Sequence, residues 1–188
     1  MHGYGGKNLA ESFRTVRANT LKIAEEIPED KYSFKPAPDA RSVGQLLTHI
    51  ALLHRIPKQI HQIEKRKTLE GFSFPGMMQA LGAEEQQPRT KAQIIDLLTK
   101  DGDAWAAYLE GLSDDFLAEE VRTPPGMQPA ARTRFEMLLS PKEHEMHHRG
   151  QLMVLQRILG LTPHLTRQMQ ERMAQSAAQA QSAPQAHR

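Results

Sequence analysis

Residues 133–159 have the sequence TRFEMLLSPKEHEMHHRGQLMVLQRIL, and this segment decides the fold. Positions 141, 144, 148, 152, 155 and 159 are three or four residues apart, which places their side chains on one face of a helix. Three leucines on this face indicate that it faces a core. Two other positions on the same face are occupied by His144 and His148. The segment is therefore predicted to be a long helix, starting near Thr133, that carries two inward histidines.

Apolar residues recur at helical spacing in three earlier segments, residues 8–27, 42–65 and 90–111. Residues 68–89 are polar and contain Gly and Pro, so we expect a linker there. Residues 113–131 contain several prolines, so we expect a long irregular crossover without strands. No stretch alternates with period two for long enough to predict a sheet. The sequence predicts an all-α four-helix bundle with a long crossover. It assigns residues 1–173 to one domain and residues 174–188, which are rich in Gln and Ala, to a disordered tail.

The absence of Cys excludes proteins that depend on disulfides or cysteine ligands, and the distribution of charged and apolar residues bears on the partners of the chain. The chain has 188 residues, a formal net charge of +2 and no Cys, which leaves histidines and carboxylates as the strong metal ligands. The charges are interspersed, so we expect no nucleic-acid partner. No apolar run is long enough to cross a membrane, and no signal peptide is visible, so the sequence predicts a cytoplasmic protein with no membrane partner.

His144 and His148 are separated by one helical turn, a spacing that lets two imidazoles bind one metal ion. They are alternatively a pair of hydrogen-bonded interior histidines. His49 adds a third candidate, because Leu46 and Leu53 place it on an otherwise apolar helix face. Three histidines from two facing helices would leave coordination positions open, as catalytic zinc sites do.

Two other metal motifs fit the same segment less well. His144-Glu145-Met146-His147-His148 matches the H-E-x-x-H pattern of zinc proteases, but no third-ligand motif follows it. Glu145 and His148 form one Glu-x-x-His step, whereas di-iron bundles need two such steps and further glutamates. Neither a protease nor a di-iron protein is predicted.

The remaining candidates have secondary roles. Glu145 is the candidate catalytic residue, as a proton carrier, and Gln151 and Arg149 are candidates for supporting the metal ligands. His54 and His61 are expected at the surface, and Trp105 in the core.

The chain resembles the DinB or YfiT-like family of four-helix metalloenzymes over roughly residues 9–163. The resemblance rests on Ser42-Val43-Gly44-Gln45-Leu46-Leu47-Thr48-His49, on Thr133-Arg134-Phe135-Glu136-Met137-Leu138-Leu139 and on the segment His144–Leu152. It implies an up-down-down-up bundle, often a homodimer, with a divalent metal bound by His49, His144 and His148.

The resemblance implies two kinds of reaction on a small-molecule substrate. Some members are transferases or isomerases that use a low-molecular-weight thiol, and others resemble metal-dependent hydrolases. We expect Zn²⁺ or Ni²⁺ to lower the pKa of water or to activate a thiolate in an open site. A non-catalytic, stress-related dimer with a structural metal site is the alternative.

Overall fold

The predicted helices form the body of the fold. The computed structural model describes residues 3–182. Its helices are, in chain order, α1 (Gly6–Glu26), α2 (Val43–Leu52), α3 (Arg55–Pro57), α4 (Phe74–Glu85), α5 (Lys91–Glu110), α6 (Asp114–Ala118), α7 (Arg134–Ile158) and α8 (His164–Ser182). Helices α1 and α2 each pack against both α5 and α7. The prediction of an all-α four-helix bundle is confirmed.

Local capping determines where the main helices begin. Ser42, Thr90 and Thr133 each accept a hydrogen bond from the backbone amide three residues later. In each case the side chain of that later residue accepts a hydrogen bond from the backbone amide of the capping residue. These reciprocal bonds satisfy amides that have no partner inside the helix. Helix α7 therefore begins at the predicted place, and it continues through Pro141.

The bundle interior contains two apolar clusters. One includes Ile23, Leu47 and Leu98, and the other surrounds Phe13 and Trp105. Trp105 is only 2% exposed, which confirms its predicted place in the core. Burial of these side chains supplies the main driving force for folding.

The second predicted helix is interrupted. Helix α2 ends at Leu52, a turn follows, and after α3 the chain forms a π-helical segment, Lys58–Ile63. Pro57 has no amide hydrogen to bond the carbonyl one turn earlier, which favours a break at this place. The interruption changes which side chains face inward. His54 and His61 are 3% and 1% exposed, so their predicted surface positions are wrong.

Both connections contain regular structure. Helix α4 lies within residues 68–89, which were predicted to be only a polar linker. Ser73 caps α4, and Pro75 lies in its first turn, where a missing amide costs little. The crossover contains α6 and two short antiparallel strands, β1 (Glu120–Arg122) and β2 (Ala131–Thr133). The expectation of a crossover without strands is wrong at these residues.

The C-terminal boundary differs from the expected one. Residues 174–182, assigned to a disordered tail, belong to α8, and residues 183–188 lie outside the described residues. Ala, Gln and Met favour a helix through backbone propensity without needing an apolar face. No helix within residues 3–182 is long and apolar enough to cross a membrane.

A buried ion pair joins α1 to α7. Arg17 donates from Nε and Nη2 to Glu145 at 3.0 and 2.9 Å, and their side chains are 5% and 0% exposed. The guanidinium also donates from Nη1 to the Leu98 carbonyl of α5 at 2.6 Å. A Cβ at Gly102 would lie 2.9 Å from this Nη1, so α5 needs glycine there.

We predict that Glu145→Gln lowers the free energy of unfolding by roughly 3–5 kcal/mol, because it leaves the Arg17 charge buried without its counterion. Urea denaturation measures the change. Glu143→Gln, at an exposed position two residues earlier, is the control and should change stability little. A loss of less than about 1 kcal/mol in Glu145→Gln would contradict the role of the pair.

Candidate metal centre

Three histidines converge between α2 and α7. His49 comes from α2, and His144 and His148 come from consecutive turns of α7. One ring nitrogen from each lies within 4.8 Å of those of the other two. The Nε2 atoms of His144 and His148 are 2.8 Å apart. The structure thus brings together all three histidines predicted to bind a metal.

Hydrogen bonds outside the cluster orient two of these rings. His49 donates from Nδ1 to the Glu85 carboxylate at 3.0 Å, and His148 donates from Nδ1 to the Gln151 Oε1 atom at 2.8 Å. A neutral imidazole that donates from Nδ1 carries its lone pair on Nε2. These contacts therefore leave the Nε2 atoms of His49 and His148 available as ligands.

The cluster fits a divalent metal ion. Zinc–imidazole bonds are about 2.0–2.1 Å long, so two nitrogens on one tetrahedral ion are separated by about 3.3 Å. The Nε2 atoms of His144 and His148, 2.8 Å apart, are within about half an ångström of that separation. Among the described residues, His, Asp and Glu supply three members to the group, which leaves at least one position of a tetrahedral ion for another ligand.

The electrostatic environment favours neutral imidazoles, the form that binds metals. Burial, followed by the charge of Arg41, lowers the pKa of His49 to about 4, although Glu85 opposes this shift. Burial is also the largest cause that lowers the pKa values of His144 and His148. All three rings are therefore neutral near pH 7.

Glu85 is the supporting residue that sequence analysis missed. It lies at the end of α4, is 6% exposed and also accepts a bond from Arg41 Nε at 2.5 Å. The Ser73 cap and Pro75 were the available signals for α4. Neither signal shows that this helix returns to His49, because that contact joins residues 36 positions apart.

The structure does not place Glu145 among the three histidines. Both of its carboxylate oxygens bond Arg17 inside the bundle, so its catalytic role stays a prediction. His147 is exposed and bonds Gln151 at 3.1 Å. Gln151, one of the predicted supporting residues, contacts His148 directly, while Arg149 forms no hydrogen bond with any of the three rings within residues 3–182.

Two cavities lie beside the centre. A cavity of about 230 Å³ has His144 in its wall and extends to His61. A second, of about 700 Å³, is lined by Arg41, Glu85 and Gln151, the residues that surround the cluster. The exposed His144 ring therefore borders a space that a small molecule can enter.

Comparison with known proteins identifies the family. The model of the DinB superfamily matches residues 12–152. YjoA from Bacillus subtilis (strain 168) is 26% identical over 156 residues, which cover 82% of this chain and 90% of YjoA.

Solved structures agree with this match. The crystal structure of YjoA, described as a DinB-like protein, superposes with a TM-score of 0.58, covering 82% of this chain and 93% of that one. A DinB-like protein from Bacillus cereus ATCC 10987, 20% identical, has the same fold with a TM-score of 0.58 and covers 83% and 93% of the two chains. The match to the family model spans most of the bundle and includes all three histidines, and the chain belongs to the DinB superfamily.

Proposed function

We propose that the chain is a divalent-metal-dependent enzyme in which His49, His144 and His148 hold Zn²⁺ or Ni²⁺. The observation that carries this proposal is the convergence of three neutral imidazoles with no fourth His, Asp or Glu in the group, among residues 3–182. Structural zinc sites have four protein ligands, whereas catalytic sites have three and keep a position open. The coordination set therefore supports catalysis over a purely structural metal.

The proposed reaction is hydrolysis, or transfer or isomerisation with a low-molecular-weight thiol, on a small-molecule substrate. A divalent metal bound by three imidazoles supplies a Lewis acid that lowers the pKa of water or of a thiol. The thiol has to be a cosubstrate, because the chain contains no Cys.

The protein's own residues orient and screen the centre. Glu85 and Gln151 fix the rings of His49 and His148, and such outer contacts raise the basicity of the ligands. Arg41 balances the charge of Glu85 and lines the larger cavity. These contacts support a rigid, polar centre open to cavities on either side.

We also propose that the protein is a homodimer. The outer side of α7 carries Met146, Val154 and Ile158, which follow one another at intervals of eight and four residues and are 43%, 55% and 56% exposed. Met169 and Met173 add exposed apolar area on α8, which has few contacts with the bundle. Exposed apolar faces of this kind are typical of protein interfaces.

We predict about one equivalent of Zn²⁺ or Ni²⁺ per chain in tag-free protein, and its loss in both His49→Ala and His148→Ala, because each removes one of three ligands. Elemental analysis measures the metal, and circular dichroism checks the fold. His147→Ala is the matched control, since His147 is a neighbour on α7 outside the group.

Two results separate the hypotheses. Metal-free wild-type protein after addition of Zn²⁺ and Ni²⁺ would contradict the metalloenzyme proposal. Bound metal without turnover, in screens of ester and amide hydrolysis and of thiol transfer, would favour the non-catalytic metal-binding alternative.

We predict that Glu85→Gln weakens metal binding about 10–100-fold, because His49 loses the carboxylate that orients it. Competition with a chromogenic chelator measures the affinity. Glu84→Gln is the control, because Glu84 anchors the same helix through Arg55 and Arg89 and not through His49. Metal binding that is equally weakened in both variants would show that anchoring of α4, and not the contact with His49, matters. Wild-type affinity in Glu85→Gln would contradict the prediction.

We predict that the double variant Val154→Lys/Ile158→Lys is a monomer, because two charges on the outer face of α7 oppose its burial. Light scattering coupled to gel filtration gives the mass. Met78→Lys, at a 54% exposed position on α4, should leave the dimer intact. A wild-type mass of 21 kDa would contradict the proposed dimer.

A further inference from the structure

The smaller cavity beside the metal centre has a mainly apolar wall that includes a few polar side chains. His144 borders it on one side, and Leu53, Ile56, Ile60, Phe74 and Met137 supply apolar surface. His61 and Arg132 supply nitrogen atoms. At about 230 Å³ the cavity is smaller than the roughly 300–1,000 Å³ of sites for drug-sized molecules, so it suits a small ligand.

His61 has a defined tautomer in this cavity wall. Arg134 donates from Nη1 to His61 Nδ1 at 3.0 Å. An arginine can only donate, so Nδ1 accepts and the ring proton lies on Nε2. That Nε2 atom is buried and has no hydrogen-bond partner among the described residues.

A buried donor without a partner is uncommon, because it has lost its bonds to water. The backbone around His61 is also unusual, since residues Lys58–Ile63 form a π-helical segment. Such segments are often found at functional sites. Burial and Arg134 lower the pKa of His61 to about 4, which keeps the ring neutral near pH 7.

The charges near His61 favour an anion. Arg134 lies directly behind the ring, and its counterion Glu119 is 37% exposed, so part of that negative charge is screened by solvent. Arg132, at the cavity wall, is exposed and forms no ion pair with any residue in the range 3–182. A carboxylate is therefore favoured over an uncharged acceptor.

We propose that this cavity binds a small apolar carboxylate whose oxygen accepts a hydrogen bond from His61 Nε2. The apolar body lies against Ile56, Ile60 and Met137, and the opposite end of the ligand lies at His144. Because His61 Nε2 is closed to solvent, side chains of the wall have to shift to admit the ligand, and Met137 has the flexibility for this. This inference rests on the proposed function in one respect: it makes the cavity the substrate site of the three-histidine centre.

Phenylacetate is the probe, and phenylacetamide is its uncharged counterpart of similar shape. Calorimetry measures both affinities in metal-free and zinc-loaded protein, and ¹⁵N-histidine spectra report the His61 ring. We expect phenylacetate to bind at least tenfold more tightly than phenylacetamide and to shift the His61 Nε2 signal. A hydrogen bond to a charged group is worth enough to produce a difference of this size.

Three variants test the role of His61. His61→Leu removes the donor and should weaken phenylacetate binding at least tenfold, whereas His61→Gln places an amide NH₂ near the former Nε2 and should retain most of it. His61→Gln also keeps an acceptor for Arg134, which guards against loss of the fold. His54→Leu is the matched control, because His54 is equally buried but is not in the cavity wall.

Metal content is measured in every sample, which separates this inference from the proposed function. Phenylacetate binding that is absent in wild type, or unchanged in His61→Leu, overturns the inference even when zinc binds normally. Equal binding of phenylacetamide overturns the carboxylate assignment. Binding that depends on His61 in a protein that takes up no metal supports the inference and contradicts the proposed function alone.

Discussion

The Arg17–Glu145 ion pair is the contact on which the geometry of the bundle depends. One guanidinium bonds Glu145 of α7, the Leu98 carbonyl of α5 and, at 3.5 Å, the Ile50 carbonyl of α2. A fully buried charge is costly unless its counterion and hydrogen bonds are in place. Sliding or rotating one helix would break several of these bonds together. The pair therefore restricts how four helices can be arranged relative to one another.

The ion pair also restricts the positions of the residues that form the metal centre. Ile50 follows His49, and Glu145 follows His144, so Arg17 bonds the residues immediately beside two of the three histidines, Ile50 through its carbonyl and Glu145 through its carboxylate. A metal site needs ligand positions accurate to a fraction of an ångström, and packed helices supply this accuracy better than loops do. The ion pair with Arg17 therefore explains why the Glu145 carboxylate is buried next to His144, without requiring that Glu145 takes part in a reaction.

The sequence predicted the parts of this structure that depend on local patterns. The spacing of His144 and His148, the apolar surroundings of His49 and the capping residues are short-range signals, and they were sufficient for the bundle and the histidine cluster. The contact between Arg17 and Glu145 spans 128 positions, and no local pattern reveals it. The burial of His61 was hidden for another reason: the π-helical segment changes the inward face, so extrapolation of an ideal helix fails. Glu85 was missed because only tertiary packing returns α4 to the bundle.

The same arrangement of charge recurs at three places, and in each of them at least one partner is buried. Arg17 pairs with Glu145, Arg41 with Glu85 and Arg134 with Glu119. After burial, the nearby arginine is the next cause that lowers the pKa of a histidine, in turn of His54, His49 and His61. A protonated imidazole cannot bind a metal, and a neutral one has one donor and one acceptor nitrogen whose positions its neighbours decide. Burial, assisted by the arginines, keeps these rings neutral, while Glu85 and Arg134 decide which nitrogen of His49 and His61 bears the proton. The outcome differs with the neighbour: a carboxylate on Nδ1 leaves His49 a lone pair for a metal, and a guanidinium on Nδ1 leaves His61 a donor for a ligand oxygen.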